Sequence, residues 1–80
     1  MENDNKIYYK KFGENLQNLL VKYGKDVITI ASVGNIEQKQ VYRVINGEHG
    51  ASLKTILALA KGLNIHPKEL FDFQFDLDKE

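Results

Sequence analysis

Residues 26–47, DVITIASVGNIEQKQVYRVING, constrain the fold of this chain more tightly than any other stretch. They read as two short helices joined by a sharp turn. Ile30 and Ala31 close the inner face of the first helix, and Ala31 is small enough to let a second helix cross closely. Gly34 and Asn35 interrupt the helical pattern, and both residue types tolerate the left-handed backbone of a tight turn. Ile36 plugs the corner. Val41, Val44 and Ile45 then return at helical spacing and point the second helix at the core. Gln38, Lys39, Tyr42 and Arg43 are left on its opposite face.

The remaining sequence supplies partners for this pair. Residues 7–23 carry Tyr9, Phe12, Leu16, Leu19, Leu20 and Tyr23 as a helical stripe ended by Gly24. Gly13 weakens that helix slightly and marks a close contact. Asp26 suits an N-cap, and Asn46-Gly47 stops the helix that starts near Glu37. Ser52 caps a fourth helix running to about Leu63, with Leu53, Ile56, Leu57, Leu59, Ala60 and Leu63 as its expected buried stripe. Asn64 takes the left-handed turn after it. Pro67 opens a fifth helix with Glu69 in its first turn and Leu70 and Phe71 pointing inward. From Phe71 onward apolar and polar residues alternate strictly, a strand signal rather than a helix signal, so residues 74–80 are expected to form an extended tail. The expected architecture is all-α: one compact five-helix domain over residues 1–80, with its core at about residues 7–73.

Composition narrows the function classes. The chain has 80 residues, 42% apolar and 28% charged, in keeping with one small globular domain. No cysteine is present, which removes disulfides, zinc thiolates and cysteine nucleophiles. No apolar run is long enough to span a membrane, and the N-terminus lacks the order of a signal peptide, so a cytoplasmic location is expected. His49 and His66 have no second ligand at metal spacing, and no acid, base and nucleophile converge. Neither a metal, a cofactor nor an enzymatic activity is expected. The formal net charge is zero, yet between Asn5 and Lys68 ten basic residues face four acids, a net of +6 with acidic ends on either side. Such a body can present a positive face to phosphates.

A rigid helix showing an amide, an ammonium, a phenol and a guanidinium on one stripe has the groups that read base edges in the DNA major groove. The two helices of residues 26–47 are therefore read as a helix-turn-helix. With FGENLQNLL, ASVGNIEQKQVYRVING, SLKTILALAKGLNI and HPKELFDF in place, the chain resembles the lambda-repressor-like, or Xre/Cro-type, helix-turn-helix family over about residues 12–73. That resemblance implies base contacts from Gln38, Lys39, Tyr42 and Arg43. It also implies phosphate contacts from Gln40, Asn46, His49, Ser52 and Lys54. Amides at the N-termini of helices two and four are natural phosphate ligands on independent grounds.

Two departures from the family stand out. Val27 occupies the first turn of helix two, where the family commonly has a phosphate-contacting glutamine. Leu20 and Ile45 occupy positions where the family often buries an arginine–glutamate pair. Both charges are missing together, so neither is stranded, and apolar replacement of such a pair is often neutral or stabilising. The expected function is a sequence-specific transcriptional regulator, a repressor binding a palindromic operator in double-stranded DNA as a homodimer. Leu70, Phe71, Phe73, Phe75 and Leu77 are the expected dimer interface, and no small-molecule effector or membrane partner is expected. The rival reading is an Xre-fold protein-interaction module: an antitoxin, antirepressor or adaptor.

Overall fold

The computed structural model describes residues 2–76. Four α-helices and one 3-10 turn follow in order: α1 (Glu2–Tyr23), α2 (Val27–Gly34), α3 (Gln38–Ile45), α4 (Leu53–Leu63) and the turn Pro67–Phe71. Local sequence explains the boundaries. Gly24, at φ +64°, ends α1 with two bonds, Gly24 N–H to Val21 O (3.2 Å) and Lys25 N–H to Leu20 O (2.9 Å). Asp26 caps α2 by accepting from Thr29 N–H at 2.7 Å. Ser52 caps α4 by accepting from Thr55 N–H at 3.2 Å. Asn35 and Asn64 take the left-handed conformation that closes α2 and α4.

Every element sends a side chain into one core. Leu16 comes from α1, Ile30 from α2, Val41 and Val44 from α3, Leu59 and Leu63 from α4, and Leu70 from the 3-10 turn, all essentially without exposure. Leu20 is buried in this core and Ile45 packs against it, so the positions where the family pairs charges are here part of an apolar interior. No helix among the described residues is long and apolar enough to cross a membrane.

Five expectations need correction. The fifth helix is a 3-10 turn of five residues, which leaves four α-helices. His66 caps it and Asp72 ends it, so the segment is too short for an i→i+4 ladder. It closes instead with i→i+3 bonds, Glu69 N–H to His66 O (3.0 Å) and Asp72 N–H to Glu69 O (3.3 Å). Helix α1 starts at Glu2 rather than near residue 7, because its first turns carry acids, which suit a helix N-terminus, instead of an apolar stripe. Gly34 is still helical, and only Asn35 makes the left-handed turn. Gly34 is needed for a different reason: a Cβ there would sit 2.5 Å from the Ala58 carbonyl oxygen.

The same crossing overturns the fourth expectation. A Cβ on Gly62 would lie 2.6 Å from the Ile30 carbonyl oxygen, so α2 lies almost backbone to backbone on the Ala58–Gly62 side of α4. That contact turns Leu53 and Leu57 away from the core, leaving them 70% and 51% exposed, while Ala58 is buried. The fifth concerns Leu70, expected at a dimer interface. It has no exposed surface, because it completes the protomer's own core.

Of the expected tail, residues 74–76 are described; they are neither helix nor strand, and residues 77–80 lie outside the described residues. The tail folds back on α1 of its own chain. Phe75 stacks on Tyr8 at 5.2 Å and on Phe73 at 4.6 Å, while Phe71 meets the Phe12 ring edge-on at 5.2 Å. Polar contacts fasten it: Lys11 Nζ donates to Gln74 O at 2.9 Å, and Asp76 N–H donates to Tyr8 Oη at 3.1 Å. Leu77 lies outside the described residues.

Candidate nucleic-acid interface

Helix α3 is held from behind. Val41 and Val44 are buried and Ile36 packs under its start, which fixes the rotation of the helix about its axis. Asn35 and Ile36 donate their amides to Ser32 O and Ala31 O at 3.2 and 3.0 Å, so the turn from α2 is rigid as well. With the inner face locked, Gln38, Lys39 and Tyr42 are exposed and Arg43 is half-buried. Among the described residues no hydrogen bond or salt bridge engages these four side chains. Their donors and acceptors are free, on a helix that need not reorganise to use them.

The residues expected at phosphates fall into two groups. Gln40 and Lys54 come together with Glu37 and Thr55 as walls of a shallow groove of about 300 Å³ between the starts of α3 and α4. Asn46 is exposed at the end of α3, and His49 is half-buried in the loop that follows. His49 Nδ1 lies 3.1 Å from the Gly50 carbonyl oxygen. A carbonyl can only accept, so Nδ1–H is the donor in this contact and Nε2 is the polar atom left over.

Ser52 is placed differently from a simple phosphate donor. Its hydroxyl accepts from Thr55 N–H and donates to Thr55 Oγ1, both at 3.2 Å, so its proton is committed inside α4. The start of α4 is nonetheless capped by a neutral group, which leaves the positive end of the helix dipole uncompensated.

The start of α2 is the opposite case. Hydrogen bonds from Thr29, side chain first and amide second, hold the Asp26 carboxyl below the usual carboxylate value. The Asp26 carboxylate takes up the Thr29 amide, one of those expected to receive a phosphate, and its negative charge repels an anion. Val27 beside it is buried. Of the two helix starts, α4 has the neutral cap and α2 the acidic one. Sequence reasoning missed this contrast, although the signal was present in the acid at residue 26 and the serine at residue 52.

The aromatic tail reaches this region from behind. Tyr8, Phe12, Phe73 and Phe75 line one side of a cavity of about 210 Å³, and His49, Gly50 and Ala51 line the other. The loop that follows α3 is therefore packed on α1 rather than hanging free. A Cβ on Gly50 would lie 2.7 Å from the Tyr9 ring.

Comparison with known proteins agrees with this geometry. The chain is similar to the restriction-modification controller protein C.AhdI from Aeromonas hydrophila, with a TM-score of 0.76 and 35% identity, over 81% of this chain and 98% of that one. A search of curated proteins gives no match. The profile of the Cro/C1-type HTH DNA-binding domain matches residues 15–76. With an inner face locked into the core, an outer face of free polar groups and this match over most of its length, the chain belongs to the Cro/C1-type helix-turn-helix DNA-binding family.

Proposed function

We propose that the protein is a sequence-specific transcriptional regulator, a repressor that occupies a palindromic operator as a homodimer in the cytoplasm. The observation that carries this reading is the α3 stripe. Gln38, Lys39 and Tyr42 are exposed and unbonded among the described residues, beside Arg43, on a helix whose rotation the core fixes. Arg43 suits the O6 and N7 atoms of guanine, and Gln38 suits adenine. Gln40, Asn46, His49, Lys54 and the start of α4 hold the backbone on either side. Likeness to a controller protein supports a role in gene control rather than as a passive adaptor.

One observation favours an interaction module instead: Ile28 on α2 and Leu53 and Leu57 on α4 expose apolar surface. Selection from random duplex DNA, followed by anisotropy titrations, separates the two. Wild-type protein is expected to enrich a palindrome and bind it with steep salt dependence, log K falling by about 0.9 per neutralised phosphate per log unit of salt. Arg43→Ala should cost about 1–3 kcal/mol and relax preference at one position of each half-site. No enrichment at low salt would give the interaction module the case.

The dimer contact proposed here uses the outer faces of Phe71 and Phe75, which remain 43% and 40% exposed, with Phe73 behind them and Leu77 beyond the described residues. A single recognition helix spans few base pairs, so specificity calls for two, set about 34 Å apart by a symmetric interface. Phe71→Lys should give a monomer with unchanged far-UV circular dichroism and weak operator binding. Sedimentation equilibrium checks this, and a wild-type protein that stays monomeric at tens of micromolar removes the dimer from the proposal.

A further inference from the structure

We propose that the N-terminal half of α1 is a second phosphate-contacting arm, in which Lys6 and Lys10 grip DNA backbone flanking the bases read by α3. The proposal rests on the DNA-binding reading above. It concerns a part of the chain that the family match does not include: the match begins at residue 15, whereas α1 begins at Glu2.

The geometry starts from Gly47. A Cβ there would sit 2.9 Å from both Cα and Cγ of Lys10, so the stem of this lysine lies flat against the chain just after α3. Its neighbour Tyr9 lies with its ring against Gly50. The loop with Asn46 and His49 is therefore seated against α1 at residues 9–10. Lys6 follows Lys10 at i−4, on the same stripe and about 6 Å further along the axis. Both lysines are exposed. A stem pinned on apolar backbone with its ammonium free to reach water is the usual posture of a lysine that meets a phosphate.

Charge separates these two from their neighbour. Lys11 is tied to the tail, donating to Gln74 O at 2.9 Å with Asp76 Oδ2 at 3.7 Å. Among the described residues no salt bridge engages Lys6 or Lys10. The tail thus takes up the lysine on its own side of α1 and leaves the Lys6 and Lys10 ammonium groups uncommitted, with Glu14 one turn beyond Lys10 on the same row.

The tail also supplies stiffness. The first turns of α1 extend beyond its contact with α3 at Gly13, and helix ends that lack tertiary contacts fray. Here Phe75 stacks on Tyr8, and Asp76 N–H bonds the Tyr8 hydroxyl. The arm is held in place before DNA arrives, so little ordering entropy opposes its contacts.

The test measures salt dependence on a duplex recovered by selection, in a long-flanked form and in one trimmed to the palindrome. Lys6→Gln/Lys10→Gln keeps the stems and removes the charges, and Lys61→Gln is the exposed control on α4. The double variant is expected to lower the slope of log K against log salt by about 0.9 per lysine, for all sequences alike. Trimming the flanks should weaken the wild type and leave the double variant unaffected, with Lys61→Gln behaving as wild type. A double variant of wild-type fold, slope and flank dependence overturns the arm while leaving the DNA-binding reading intact. A wild-type protein that binds neither duplex at low salt overturns both.

Discussion

Leu70→Ala will unfold the protein more readily at every concentration, rather than merely dissociate a dimer. Leu70 is fully buried and belongs to the same apolar cluster as Leu16, Leu59 and Leu63. Truncating such a leucine removes its transfer free energy and leaves a cavity, at a cost of about 2–5 kcal/mol. For a domain of this size each kcal/mol moves the melting temperature by roughly 4–8 °C, so a drop of about 8 °C or more is expected. Small domains have only about 5–15 kcal/mol to lose, and this one lies near the small end of the size range. Calorimetry over a range of protein concentrations checks it. Should the melting temperature hold steady in dilute solution while the dimer alone is lost, Leu70 belongs to an interface and the core described above is wrong.

Gly13→Ala tests the seat of the recognition helix by its sign. Gly13 is in the middle of α1, and helix propensity alone predicts that alanine there stabilises by about 1 kcal/mol. The tertiary contact predicts the reverse. A Cβ at residue 13 would stand 2.3 Å from the Ile45 carbonyl oxygen and 2.5 Å from that of Val44. These are backbone atoms at the end of α3 and cannot swing aside, so α1 and α3 must separate. Overpacking of this kind costs about 1–3 kcal/mol, which exceeds the propensity gain at the upper end and cancels it at the lower. We expect net destabilisation in urea with an unchanged m-value, and a larger loss in operator affinity than stability alone explains, because α3 shifts relative to Lys54 and His49. A more stable Gly13→Ala protein would mean that the two helices do not approach this closely.

Much of the candidate site could be read directly from residue types. Apolar residues at 41, 44 and 45 assign the inner face of α3, and the polar stripe follows from helical period alone. The phosphate-side contrast between Asp26 and Ser52 was not read, since it depends on what each cap does to the charge at a helix start. Lys10 gave no signal in the sequence. Its importance comes from Gly47, 37 positions away, passing within contact distance of its stem.

The sequence by itself determined the capped ends: the starts of α2 and α4, the close of α4 and the start of the 3-10 turn. Asp26, Ser52, Asn64 and Pro67 act within one turn of where they stand, through capping bonds, a left-handed residue and a fixed φ. Local chemistry of this kind does not depend on what the rest of the chain does. Only the tertiary structure decided which apolar residues are covered. Leu53 and Leu57 look like core, but the close crossing of α2 at Ala58 and Gly62 turns them out to solvent. Phe73 and Phe75 alternate like a strand, but there is no strand among the described residues to pair with, and their rings pack on Phe12 and Tyr8 of α1. The tail bonds there, Lys11 to Gln74 and Asp76 to Tyr8, join residues more than 60 positions apart. Burial is settled by contacts over such separations, which no local pattern encodes, whereas helix ends are settled by neighbours that every local pattern contains.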